Sequence, residues 1–137
     1  MIVFTGDTDK DKINGESTDT WGNIYITSTA ASTLSYCTME EGLRTDVSSG
    51  TMGGGIYLAN SSTTLNNCII RNCTAVKGGG IYVASGYSPS ITNCLFRDNK
   101  ATENGGAVYA ASAAAPVFTN DIFFSNSSTS ATYKGGA

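Results

Sequence analysis

Histidine is missing altogether from the 137 residues. With it go the commonest general base and the commonest zinc ligand, so mechanisms that need an imidazole are excluded. Charge is scarce as well: 14% of residues are charged, against the usual quarter, and the formal net charge is -3 with no basic cluster. Such a chain carries no electrostatic footprint for nucleic acid or for an anionic membrane surface. No run reaches the roughly 18 apolar residues of a membrane-spanning helix. Residues 1–20 also lack the basic start and apolar stretch of an export signal; if the parent protein is exported, that signal is expected upstream. What is abundant is Gly, at 16 residues, together with Ser, Thr and Asn. This mixture suits a β-rich secreted or cell-surface protein better than a cytosolic enzyme, at a length that supports one domain with a modest core.

One phrase recurs through that background. Trp21-Gly22-Asn23-Ile24-Tyr25-Ile26 is followed by Gly54-Gly55-Ile56-Tyr57-Leu58, Gly79-Gly80-Ile81-Tyr82-Val83 and Gly106-Ala107-Val108-Tyr109-Ala110, and Gly135-Gly136-Ala137 opens a fifth copy. From Ile24 the steps are 32 residues to Ile56, 25 to Ile81 and 27 to Val108, a period typical of stacked supersecondary units. Each copy continues with a polar corner and a second strand: Leu34–Cys37, Leu65–Cys68, Ile91–Cys94 and Phe118–Asp121. A third apolar segment follows at Ile69–Cys73, Leu95–Asn99 and Ile122–Asn126. Three short strands per unit, with no helix-length period, cannot bury their own inward side chains. Stacking in parallel on the unit below, about 4.8 Å away, buries them. The expected fold is all-β, a right-handed single-stranded parallel β-helix of about four to five coils. It forms one domain over residues 1–137, with coils beginning near 21, 53, 78, 105 and 135. The uncapped ends suggest a segment of a longer helix, with coil-on-coil self-stacking as the lesser alternative.

Stacking turns equivalent positions into columns. Ile24, Ile56, Ile81 and Val108 are expected inside, as are Ile26, Leu58, Val83 and Ala110, so the tyrosine between them points outward. The paired glycines fit a corner that needs positive φ or close approach. Asn67, Asn93 and Asn120 share one column and Asn99 and Asn126 another, where amides can bond from coil to coil. Cys37, Cys68 and Cys94 share a column that Asp121 completes, and Cys73 occupies the position of Asn99 and Asn126. Free buried thiols are expected here, with a Cys68–Cys73 or inter-coil bridge as the alternative. Without His or CxxC spacing, no metal is expected on them.

Candidate sites are few. Residues 6–20 form a polar, Asp-rich stretch in which Asp7, Asp9 and Asp11 alternate as calcium ligands would. Yet Lys12 and Thr18 stand where a calcium loop needs Gly and Glu, so a solvated loop is the first expectation. Glu40, Glu41, Asp46, Asp98 and Asp121 are the acidic candidates for acid–base work or for calcium held against a uronate, but no triad aligns among them. Arg71 and Arg97 stack in consecutive coils and could bind a carboxylate. Tyr25, Tyr57, Tyr82 and Tyr109 make the one uninterrupted outward column, a platform for a glycan or a protein partner, or simply mutual support between coils.

Gly54-Gly55-Ile56, Gly79-Gly80-Ile81 and Gly106-Ala107-Val108, with Phe96-Arg97-Asp98-Asn99 and Phe123-Phe124-Ser125-Asn126, resemble the paired GGA[ILV] and FxxN repeats of the chlamydial polymorphic outer-membrane proteins. The first coils are similar to the broader pectate-lyase-like superfamily. The first coil lacks FxxN, and the second has Ile70-Arg71-Asn72-Cys73 in its place. The resemblance implies export and an adhesive passenger region. The expected function is a non-enzymatic extracellular or cell-surface module, a rod and adhesin that binds a host or neighbouring surface protein or a polysaccharide. It is expected to need no cofactor. The alternative is part of a polysaccharide lyase or glycoside hydrolase whose catalytic coils lie elsewhere.

Overall fold

The computed structural model describes residues 2–4, 21–27, 29–45 and 52–132. The Asp-rich stretch 6–20, Asp46 and the fifth copy of the repeat lie outside the described residues. The strands are β1 (Ile2–Phe4), β2 (Ile24–Ile26), β3 (Ser32–Ser35), β4 (Cys37–Glu40), β5 (Leu43–Arg44), β6 (Ile56–Leu58), β7 (Thr63–Asn66), β8 (Ile69–Arg71) and β9 (Thr74–Lys77). They continue as β10 (Ile81–Val83), β11 (Ser90–Thr92), β12 (Leu95–Arg97), β13 (Lys100–Asn104), β14 (Val108–Ala110), β15 (Val117–Thr119), β16 (Ile122–Phe124) and β17 (Ser127–Ser128).

Among the described residues all pairings are parallel, and each strand pairs with its equivalent in the next repeat. The tyrosine sheet runs β14-β10-β6-β2, a second sheet β15-β11-β7-β3, a third β1-β4-β8-β12-β16, and a fourth β17-β13-β9-β5. Among the described residues the result is a solenoid of four rungs, three full turns from first to last, with β1 lying beneath the first. Each rung therefore has four strands and not three. The extra strand, as in Thr74–Lys77, follows the third apolar segment and was hidden by its polar composition.

The core is the set of inward columns. Ile24, Ile56, Ile81 and Val108 are in register, as are Ile26, Leu58, Val83 and Ala110. Leu34, Leu65, Ile91 and Phe118 form another column, and Met39, Ile70, Phe96 and Phe123 a fourth. Ile56, Leu58, Leu65, Ile70, Ile81, Ile91 and Phe96 are completely buried. Each contributes about 1.5–3 kcal/mol by leaving water, and stacked aromatics add to it where Phe96 meets Phe123 at 4.8 Å and 6°.

Left-handed backbone recurs at three corners from rung to rung, and Gly86 and Ala113 add it at the corner between the first and second strand, with φ of +81° and +59°. Gly53, Gly78 and Gly105 have φ of +71°, +64° and +65°, so the glycine that needs the positive φ is the one before the recurrent pair. The next glycine serves close approach: a Cβ on Gly54 would sit 2.3 Å from the Gly79 carbonyl oxygen, and one on Gly79 would sit 2.3 Å from that of Gly106. The corner after the second strand is turned by Tyr36, Asn67, Asn93 and Asn120, with φ between +52° and +55°. Here sequence-based expectation fails in part. Asn67 bonds its amide to its neighbour Asn66 (2.9 Å), and the rungs are joined by backbone bonds such as Asn67 N–H to Thr92 O (3.1 Å). Asparagine is chosen in this column because it tolerates the left-handed region. Because the turn falls there, the cysteines leave the second strand and open the third.

The other asparagine column does form the expected ladder. Asn99 is fully buried. Its Oδ1 accepts the Cys73 N–H at 3.1 Å, while its Nδ2 donates to Ile70 O at 2.9 Å and to Asn126 Oδ1 at 3.0 Å. Asn126 repeats the pattern, accepting from Asn99 N–H at 3.1 Å and donating to Phe96 O at 2.9 Å.

Candidate binding surface

The tyrosine column exists as drawn from the sequence. Tyr25, Tyr57, Tyr82 and Tyr109 stand in register between the two inward columns, and their rings lie face to face at 4.3, 5.3 and 5.4 Å with interplanar angles of 12°, 10° and 21°. This geometry follows from the parallel register, which sets identical side chains one strand spacing apart. It also limits what the ladder can do. Each internal ring has both faces covered by its neighbours, and Tyr82 retains only 9% of its exposure. Burial, followed by the hydrogen bond with Tyr25, pushes the Tyr57 hydroxyl up to about 12, and burial raises Tyr82 as well. Lys77 covers the Tyr109 ring at 5.6 Å while pairing with Glu103 at 3.4 Å. The ladder presents ring edges and hydroxyls to solvent.

A second outward feature lies on the five-stranded sheet. Val3, Thr38, Ile69, Leu95 and Ile122 are in register on its outer side, where Thr38 is buried. Val3 and Ile122 are well exposed, and Ile69 and Leu95 are half-buried. Beside them runs a column of Glu40, Arg71, Arg97 and Phe124, in which Phe124 is 61% exposed. The strip could have been read from the adjacent apolar pairs Ile69-Ile70, Leu95-Phe96 and Ile122-Phe123. Neighbours in a strand point to opposite faces, so one of each pair has to face out. At its lower end a shallow depression of about 120 Å³ is lined by Tyr36, Cys37, Thr38, Asn67 and Ile69.

The arginines differ from expectation. Arg71 is held by the protein's own carboxylate: its Nε donates to Glu40 Oε2 at 2.6 Å, and its second nitrogen forms an ion pair with the same oxygen. Glu40 is buried, and its carbonyl accepts the Trp21 indole N–H at 2.6 Å. A buried carboxylate needs such a partner. Arg97, one rung up, keeps only a 3.7 Å contact with Asp98 and is the one of the two that faces outward with a loosely held head.

The remaining candidates are dispersed. Glu41 and Asp98 are corner residues with φ of +65° and +56°. Asp121 accepts the backbone N–H of Cys94 at 2.6 Å and of Thr119 at 3.0 Å. Its carboxyl is raised above the ordinary 3.8 by burial, against the lowering effect of those two bonds. Glu40, Glu41, Asp98 and Asp121 thus stand on different columns or do corner work. Asp7, Asp9 and Asp11, the calcium candidates, lie outside the described residues. Among the described residues no group of three or more His, Cys, Asp or Glu side chains is disposed to hold a metal ion, and no helix is long and apolar enough to cross a membrane.

All four cysteines are free and buried. Each thiol donates to the carbonyl two residues earlier, across the left-handed corner: Cys37 to Ser35 at 3.3 Å, Cys68 to Asn66 at 3.5 Å, Cys94 to Thr92 at 3.3 Å and Cys73 to Arg71 at 3.2 Å. Burial pushes Cys73 up to about 12. Hydrogen bonding with Cys94 lowers the Cys68 thiol, and the same bond raises that of Cys94.

Parallel strands in register, inward columns and left-handed corners together define a parallel β-solenoid. Residues 20–137 match the family model of the right handed beta helix region, and the chain belongs to that family. Searches of curated proteins and of solved structures matched nothing to the chain.

Proposed function

We propose that this right-handed β-helix is a rigid module of an extracellular or cell-surface protein, and that it adheres to a partner protein through the solvent face of the five-stranded sheet. The observation that carries this reading is the outward apolar column Ile69, Leu95 and Ile122, bordered by Arg97 and Phe124. Aliphatic and aromatic side chains with arginine on a flat, preorganised surface are the composition of a protein interface. A protein fits better than a glycan. Sugar rings stack on aromatic faces, and the internal tyrosine faces are closed by one another. The likeness of the GG-apolar and FxxN phrases to chlamydial outer-membrane protein repeats agrees with an adhesive passenger.

Beads coated with the protein, offered to cell monolayers and to immobilised polysaccharides, test the reading. Retention on cells is expected, and it should fall at least tenfold for Ile69→Lys with Leu95→Lys while circular dichroism stays β-rich. Equal retention of that variant removes the strip as the site. Retention only on polysaccharide, or nowhere, removes the adhesin reading. Tyr82→Ala is a poor probe of binding, because its nearly buried ring makes it a stability variant with an expected cost of about 2–4 kcal/mol.

A further inference from the structure

Cys37, Cys68 and Cys94 lie one above another at the opening of the third sheet, as the register Thr38↔Ile69 and Ile69↔Leu95 requires. The Cys68 thiol stands between those of Cys94 above and Cys37 below, and it reaches the Leu34 carbonyl of the lower rung at 3.4 Å. Parallel strands bring in-register Cα atoms to about 4.8 Å, inside the range a disulfide spans. All three residues are at least 96% buried, yet Cys37 lines the shallow depression beside Tyr36 and Ile69. The column therefore has a middle thiol that can pair on either side and a lower thiol that a small reagent can meet first. Cys73, at the next corner, sits among Met39 O and Arg71 O and has no thiol in its column, where Asn99 stands above it.

We propose that this column is an oxidation site in which one inter-rung disulfide forms, always with Cys68 as a partner, and staples consecutive rungs together. The oxidant is a diffusible low-molecular-weight disulfide. The Cys37 thiolate attacks one of its sulfurs, forming a mixed disulfide and releasing one thiolate that takes up the Cys37 proton. Cys68 then attacks the Cys37 sulfur, expelling the second reagent thiolate, which takes up the Cys68 proton. Two protein thiols have lost two electrons and the reagent has become two thiols. Cys94 can displace Cys37 from Cys68 by the same exchange, moving the bond one rung up. The odd number of thiols leaves one reduced in every state, so the staple stays open to exchange.

The test is oxidation of the folded protein with 2-hydroxyethyl disulfide, followed by blocking of free thiols, thiol counting in denaturant and peptide mapping. The expected result is a loss of two of the four thiols, with Cys68 in every intramolecular disulfide and a thermal midpoint raised by on the order of 10 °C. Cys94→Ala should still form Cys37–Cys68. Cys37→Ala should form Cys68–Cys94 at least tenfold more slowly, and Cys68→Ala should form no intramolecular bond while keeping its β-rich circular dichroism. A disulfide that includes Cys73, a bond only between molecules, or an undiminished thiol count in the folded wild type would overturn the proposal. The wild-type mapping decides this even where a variant fails to fold.

Discussion

Two corners of each rung are built alike and stabilised differently. The corner entering the third sheet and the corner leaving it both place a residue with φ near +55° before a buried position. At the first corner that buried position is Cys37, Cys68 or Cys94, whose thiol satisfies a carbonyl of its own rung. At the second, Asn99 and Asn126 reach across to the backbone of the rungs next to them. The thiol is a weak donor that serves mainly its own rung, although Cys68 also reaches Leu34 O one rung down at 3.4 Å; the amide donates and accepts at once and ties rungs together. The same backbone turn can thus be satisfied mainly locally or collectively, and the collective solution adds more to cohesion along the axis.

The sharpest way to break that contrast is Asn99→Ala. It leaves the Cys73 N–H without its acceptor and Ile70 O without its donor inside the core, at about 1–3 kcal/mol for each. A loss of about 3–5 kcal/mol is expected in urea unfolding, with the slope unchanged. Cys68→Ala, at the local corner, should cost about 1–2 kcal/mol, for a small cavity and a weak bond. Equal losses in the two variants would remove the distinction between the corners.

Asp121 sharpens the comparison at smaller scale. It occupies the cysteine column yet behaves like the ladder asparagines, accepting Cys94 N–H from the rung below. Its native pKa lies above 3.8, chiefly through burial, so the folded state favours the neutral carboxyl. That contribution is full below about pH 3.8 and is lost as pH rises through the higher native value. Asp121→Asn should remove this acid-side slope, giving a variant that gains on the wild type as pH rises across the window. Parallel stability curves for the two proteins would show that the carboxyl does not titrate with folding.

The sequence made the columns legible because identical chemistry recurs at each step: Ile56 and Ile81, Tyr57 and Tyr82, Cys68 and Cys94. It concealed whatever depends on how rungs of unequal length fall into register. Glu40 meets Arg71 across 31 residues, a pairing that no local spacing announces. The fourth strand was invisible because Thr74–Lys77 and Lys100–Asn104 carry few apolar residues, their backbone bonds to neighbouring rungs doing what side chains do elsewhere. Outward tyrosines were legible, but not their mutual closure, which comes from ring stacking at one strand spacing. The outward strip was written in adjacent apolar pairs whose first member belonged to the solvent face.

The corner between the first and second strand differs in length from the cysteine and ladder corners. It is spanned by residues 59–62 in one rung, 84–89 in the next and 111–116 in the last, whereas the cysteine corner is always 67–68, 93–94 or 120–121 and the ladder corner 72–73, 98–99 or 125–126. The edge between the first and second strand is therefore free to vary, as is the span after the fourth strand, which is 45–55 after β5 but 78–80 and 105–107 later, while the cysteine and ladder corners are held to a fixed count. New peptide segments can be grafted along that edge at successive rungs without shifting the register, which makes the molecule a ruler whose markings, set one strand spacing apart, can be rewritten independently.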